Sequence, residues 1–195
     1  MLGLSEPAHT PDPAPAQGGS RLVRLVLTGF MGAGKSTVGP LLAQDLGWQF
    51  VDLDSVIETA CALSVAEIFR QHGESYFRQR EKEAAEKMRH ERSMVLALGG
   101  GTVEDPATLA PLLHSAETCV VFLDAPLPEL LARIQVGDGG DKVRPLLSQQ
   151  EELEARHRRR LPHYRAAHLT VVTTGFGPEE VAKRILARVR QQWLI

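Results

Sequence analysis

The chain has 195 residues, with 22 Lys and Arg against 24 Asp and Glu and a net charge of −2. That balance is too near neutral for general nucleic-acid affinity, which needs a strongly positive surface. Apolar residues make up 43% and aromatics only 5%, so one domain with an aliphatic core is expected, and no apolar run approaches membrane-spanning length.

Residues 1–20 hold Pro7, Pro11, Pro13 and Pro15 among Ala, Gly and Ser. Such a composition cannot offset the entropy of ordering and reads as a disordered extension, without the charged start and apolar stretch of a signal peptide. The folded domain is expected over 21–195. Cys61 and Cys119 have no metal-ligand spacing and read as buried free thiols, in keeping with a reducing cytoplasm.

Leu22 to Leu27, interrupted only by Arg24, reads as a buried strand. It runs into Gly29-Phe30-Met31-Gly32-Ala33-Gly34-Lys35-Ser36, followed by Thr37. This fits G-x-x-x-x-G-K-[ST], the phosphate-binding loop. Val38, Leu41, Leu42 and Leu46 recur at helical spacing, so the loop opens a helix. Consecutive N–H groups then form an anion cradle at the positive end of the helix dipole. In that cradle Gly32, Ala33, Gly34, Lys35, Ser36 and Thr37 are nucleotide-binding candidates. Lys35 reaches the β- and γ-phosphates, and the Ser36 hydroxyl ligates Mg²⁺.

A second strand, Gln49 to Leu53, ends in Asp52-Leu53-Asp54. At the carboxyl end of such a strand, carboxylates face the ligand crevice, and alternate residues of an extended segment point the same way. Asp54 also suits a helix N-cap. Ser64-Val65-Ala66-Glu67 is a capping box opening a helix that Gly73 breaks. A charged helix follows over 74–91, with Phe77-Arg78-Gln79-Arg80-Glu81 within it.

Met94 to Leu98 is a third strand, running into Gly99-Gly100-Gly101. Three glycines there suit close approach of a ligand to the backbone. Helices are expected over 107–113 and 128–135, the latter bearing Arg133, with a fourth strand between them over 118–123. The Gly-rich stretch around 136–148, which carries Arg144, reads as a lid or as a plain surface loop. A charged helix over 149–160 ends Arg156-His157-Arg158-Arg159-Arg160, a basic run more often a solvated face than a nucleic-acid site. A fifth strand over 168–172 and an amphipathic helix complete an α/β pattern, a five-stranded parallel sheet with helices on both faces.

Asp52-Leu53-Asp54, Phe77-Arg78 with Glu81, Gly99-Gly100-Gly101, Arg144-Pro145-Leu146-Leu147 and Arg160-Leu161-Pro162-His163-Tyr164 occur in the order and approximate spacing of shikimate kinases. The chain resembles that family over about residues 22–192. The resemblance implies a P-loop fold of the nucleoside-monophosphate-kinase type. It implies transfer of the γ-phosphate of ATP to the 3-hydroxyl of shikimate, on the route to chorismate and the aromatic amino acids. It also implies a cytoplasmic monomer using Mg²⁺, with no nucleic-acid or membrane partner.

Carried over by resemblance, Lys35, Asp54 and Arg144 are catalytic. Arg78 and Arg160 grip the shikimate carboxylate, and Glu81 fixes Arg78. Gly99, Gly100 and Gly101 shape the substrate site, with Gly100 offering its N–H. Asp54 holds the reacting hydroxyl, Asp52 reaches Mg²⁺ through water, and Arg133 lies near adenine. Three features depart from the family pattern. Gly137-Asp138-Gly139-Gly140 lengthens the lid, Gly175-Phe176-Gly177 replaces a basic residue near adenine, and Pro40 stands in the first helix. At the end of a first turn a proline would avoid most of its helix penalty. A gluconate kinase on the same fold would share the phosphate loop but not the ordered motif set. A GTPase-like regulatory module would need an Asn-Lys-x-Asp stretch, which is absent.

Overall fold

A computed structural model describes residues 21–137 and 150–195. The extension 1–20, nearly all of the expected lid, and Arg144 lie outside the described residues. Five parallel strands form one sheet in the order β2-β3-β1-β4-β5. They are β1 (Arg24–Thr28), β2 (Gln49–Asp52), β3 (Met94–Ala97), β4 (Thr118–Asp124) and β5 (Leu169–Val172). The central strands are buried along their length, as continuous apolar runs require in a sheet covered on both sides. Arg24 is the exception by sequence yet is itself buried. It is satisfied there, donating to Thr118 Oγ1 at 3.2 Å and to the Glu91 carbonyl at 2.6 Å.

Register places the functional segments together. Asp52 pairs with Ala97, and Ala97 with Leu27. The phosphate loop, the Asp52-Leu53-Asp54 segment and the three-glycine turn therefore leave the sheet at one level of one edge. Ligands bind at this carboxyl edge in open α/β sheets. Helices α1 (Lys35–Leu46) and α7 (Pro178–Gln192) pack against each other beside the sheet. Around the site lie α2 (Leu53–Cys61), α3 (Val65–Met88), α4 (Pro106–Leu113), α5 (Leu127–Gly137), α6 (Gln150–Tyr164) and a 3₁₀ turn, Thr102–Glu104.

Several boundaries differ from expectation for local reasons. Leu53 opens α2 instead of closing β2, because the Asp52 side chain accepts from the Asp54 N–H at 3.1 Å and caps the helix. The cap is thus Asp52, and Asp54 sits in the first helical turn. Gly73, at φ 80° and ψ 173°, is non-helical and breaks α3 into two segments at a kink, as expected. The capping box is complete, Glu67 accepting from Ser64 N at 2.9 Å while Ser64 Oγ accepts from Glu67 N at 3.3 Å. Pro40 lies in the second turn of α1, not at the end of the first, so its missing donor is one the helix would have used. Helix α6 continues through Pro162 to Tyr164. Cys119 is buried, whereas Cys61 is only half-buried at the end of α2.

Candidate active site

A cavity of about 710 Å³ opens at the carboxyl edge of the sheet. Its walls include the phosphate loop, Asp52, Asp54, Arg78, Glu81, the three glycines, Arg133 and Arg160. Every candidate site residue within the described chain lines this one cavity.

The loop is shaped by close packing. Gly32 has φ 77°, and a Cβ there would lie 2.6 Å from the Leu130 carbonyl oxygen, so neither conformation nor space admits a side chain. Gly34 caps α1 without any side-chain hydrogen bond, which leaves the helix N-terminus to an external anion. Lys35 folds back on the loop, donating to the carbonyls of Gly29 at 2.8 Å and Phe30 at 3.2 Å. Burial lowers its pKa to about 8, only partly offset by Asp54 and Asp52. The Ser36 hydroxyl donates to Asp52 Oδ2 at 2.6 Å.

Asp54 is half-buried, and its Oδ1 has no hydrogen-bond partner among the described residues. Burial raises its pKa to about 6, with Asp52 and Glu81 adding to the rise and Lys35 opposing it. An unpartnered buried carboxylate oxygen is costly. It packs against the glycine turn, where a Cβ on Gly99 would come within 2.8 Å, and the Asp54 side chain lines the cavity.

Arg78 is held from two sides. Its Nη1 donates to Glu81 Oε2 at 2.7 Å, and its Nε and Nη2 donate to Glu74 Oε1 at 3.3 and 3.1 Å. Glu81, only 3% exposed, also accepts from Thr102 Oγ1 at 2.6 Å. The anchoring of Arg78 by Glu81 was legible as an i, i+3 pair, but Glu74 and Thr102 were not. Gly101 makes room for this arginine, since a Cβ there would lie 2.5 Å from Nη2. Arg160 is buried and donates through Nε to Glu104 Oε2 at 2.6 Å. Tyr164, fully buried against Phe122, donates to the Gly100 carbonyl at 2.6 Å.

Arg133 reaches across from α5 to the loop before α7. It donates to Thr173 Oγ1 at 3.0 Å, to the Thr173 carbonyl at 3.2 Å and to Glu129, and touches the Gly32 carbonyl at 3.5 Å. Both Nη groups are thus engaged by protein. Phe176 and Pro178 line the same end, and Arg184 stacks 3.6 Å from the Phe176 ring centroid. The basic run is similarly paired: Arg156 with Glu152, and Arg159 with Glu104.

A phosphate loop on a parallel five-stranded sheet, facing two anchored arginines and a free carboxylate oxygen, defines a P-loop kinase for a small anionic acceptor. A sequence model of the family described as shikimate kinase matches residues 31–190. A shikimate kinase of Synechococcus sp. (strain RCC307) is 40% identical over 186 residues, covering 93% of this chain and 92% of its own. One of Geobacter sulfurreducens is 41% identical over 170 residues, 86% and 91% of the two chains. Among solved structures, shikimate kinase from Acinetobacter baumannii in complex with shikimate aligns with a TM-score of 0.78 and 33% identity, over 91% of this chain and 98% of its own. That of Aquifex aeolicus gives 0.72 and 32%, over 86% and 96%. The chain belongs to the shikimate kinase family and is an ATP-dependent phosphotransferase. No helix among the described residues is long and apolar enough to cross a membrane.

Proposed function

We propose that this enzyme transfers the γ-phosphate of ATP to the 3-hydroxyl of shikimate, with Asp54 accepting the hydrogen bond of the reacting hydroxyl. The observation that carries the reading is Asp54, whose Oδ1 is buried and unpartnered among the described residues, in the lining of a cavity that also holds a phosphate loop, Arg78 and Arg160. The solved relative from Acinetobacter baumannii contains shikimate, which supports the same acid as acceptor here. Guanidinium groups recognise carboxylates by paired, charge-assisted hydrogen bonds, so Arg78 and Arg160 fix the acid end of the ring. That places a ring hydroxyl, not the carboxylate, at Asp54. A loose phosphoryl-transfer transition state asks little early deprotonation of the nucleophile. Asp54 therefore acts first as a positioner and receives the proton as the bond to phosphorus forms.

At the other end Lys35 exchanges its contacts with the Gly29 and Phe30 carbonyls for phosphate oxygens. The N-terminus of α1 holds the phosphates by its free N–H groups. Arg133, Phe176 and Pro178 border the space for the base. Arg144, by the family resemblance, adds charge at the transferring group.

The residues present fit a divalent metal. The Ser36 hydroxyl and the Asp52 carboxylate are adjacent oxygen donors at the mouth of the loop. No cluster of three acidic, histidine or cysteine side chains occurs among the described residues. This is the donor set of a hydrated Mg²⁺ completed by phosphates rather than of an all-protein cage. Ser36 would hold it directly and Asp52 through water, and the bound ion would neutralise charge on the β- and γ-phosphates.

The test is a coupled assay of ADP release with ATP and Mg²⁺, offered shikimate, quinate or gluconate. Release requiring shikimate, with product phosphorylated at the 3-hydroxyl, is expected. ATP binding without shikimate-dependent release would leave the phosphate loop reading intact and refute the acceptor.

A further inference from the structure

We infer that Glu104 is a positioning residue for acceptor binding, holding Arg160 by its Nε edge so that its Nη edge is presented to the substrate carboxylate. This rests on the shikimate reading above. Arg160 stands on α6, while Glu104 stands 56 positions earlier in the 3₁₀ turn that follows the three glycines. The Arg160 side chain is only 6% exposed, and Glu104 is the one carboxylate bonded to it among the described residues. One oxygen of Glu104 accepts from Arg160 Nε and the other from Arg159 Nε, each at 2.6 Å.

Glu104 itself is fixed by the 3₁₀ turn, where its N–H donates to the Gly101 carbonyl at 3.0 Å. The same short turn therefore sets the three glycines and the anchor of the arginine that faces them. Nη1 lies at the glycine turn, 3.6 Å from where a Cβ on Gly100 would stand, with the Tyr164 hydroxyl beside the same guanidinium. A planar guanidinium held at Nε can still offer a paired Nη contact to a second carboxylate. An arginine without that anchor would have to be ordered at the moment of binding, at the expense of affinity.

A second carboxylate near Arg160 also repels the incoming one. Glu104 occupies the far edge of the guanidinium, and its charge is shared with Arg159, whose side chain is 64% exposed and outside the cavity lining. Positioning therefore outweighs repulsion. Arg78 is also held by carboxylates, Glu81 at Nη1 and Glu74 at Nε and Nη2, so each arginine carries its own structural anion.

The experiment compares the full-length wild type with Glu104→Gln, Arg159→Ala and Arg160→Ala, varying shikimate and ATP separately. Each preparation is checked for an unchanged melting temperature. For Glu104→Gln the shikimate KM should rise about tenfold, the scale of one charge-assisted hydrogen bond. Its kcat should stay within about twofold and its KM for ATP should not move. Arg159→Ala should match the wild type, and Arg160→Ala should raise the shikimate KM further. With shikimate methyl ester, which lacks the carboxylate charge, Glu104→Gln and wild type should converge. An unchanged or lower shikimate KM in Glu104→Gln overturns the inference, as does an equal loss on the ester. Wild-type enzyme that ignores shikimate would instead overturn the acceptor reading beneath it.

Discussion

Gly101→Ala isolates substrate recognition from folding. Gly101 has φ −99° and ψ −11°, ordinary right-handed backbone, so alanine brings no conformational strain and reduces unfolded-state entropy by about 0.4–1 kcal/mol. The new methyl, however, would sit 2.5, 2.6 and 2.7 Å from Nη2, Nη1 and Cζ of Arg78. Ordinary carbon contacts lie at about 3.5–4.0 Å, so the guanidinium must retreat by about 1 Å. The group is the end of a flexible side chain and can move, but not without loosening its 2.7 Å bond to Glu81. The fold is spared while the fork is misplaced.

A charge-assisted hydrogen bond contributes about 1.5–3 kcal/mol, and 1.4 kcal/mol is a factor of ten. The shikimate KM of Gly101→Ala should therefore rise about 10- to 100-fold. The KM for ATP and the melting temperature should hold. Steady-state kinetics with each substrate varied, alongside a thermal melt, decides the matter. A wild-type shikimate KM would show that Arg78 does not carry the carboxylate contact. A fall in melting temperature matching the kinetic loss would show that the turn, not the fork, was damaged.

Lys35→Ala should lower kcat by about 10²-fold or more, the scale of losing one preorganised charge-stabilising contact; near-normal turnover would remove Lys35 from the transfer centre. The pH profile of kcat/KM, which reports the free enzyme, should be bell-shaped. Asp54, raised to about 6, accepts the hydroxyl only when deprotonated, so activity falls below that pH. Lys35, lowered to about 8, is cationic only below that value, so activity falls above it. A profile flat from pH 5 to 9 would contradict both roles. His168 should report on stability instead of turnover. Its Nδ1 accepts from the Val120 N–H at 2.9 Å and its Nε2 meets the Leu113 carbonyl at 2.8 Å, an arrangement only the neutral ring can make. Burial lowers its pKa, so below the unfolded value of about 6.5 the unfolded chain takes the proton first and stability is lost. The destabilisation of His168→Ala, about 1–3 kcal/mol at pH 7.5, should shrink by pH 5 in urea titrations; a constant difference would refute the neutral-ring account.

What could be read from the sequence was local. The phosphate loop, the capping box at Ser64 and the strand order of apolar runs are decided within a few residues, and each appears where expected. Arg78 with Glu81 was legible because helix geometry alone brings i and i+3 together. Asp54 lines the crevice as expected, but α2 begins two residues earlier than an Asp54 cap would put it. Whether Leu53 extends a strand or opens a helix depends on one side-chain cap from Asp52, and both outcomes suit the same letters.

The contacts that escaped detection join distant parts of the chain. Tyr164 reaches Gly100 across 64 positions, Arg160 reaches Glu104 across 56 and Arg133 reaches Thr173 across 40. No periodicity announces such pairs, and Glu104, following Val103 in a short turn, looks like any surface acid. Yet these contacts share a logic that the motifs alone conceal. Each group meant to touch a mobile anion is first held by a fixed partner: Lys35 by loop carbonyls, Arg78 by Glu81, Arg160 by Glu104. A long flexible cation left free would lose its rotamer entropy on binding; one already held gives its charge to the ligand without that loss. Asp54 alone among the reacting groups keeps an oxygen unpartnered within the described chain. In the proposed reaction that is the side chain on which a substrate proton, rather than a substrate charge, arrives.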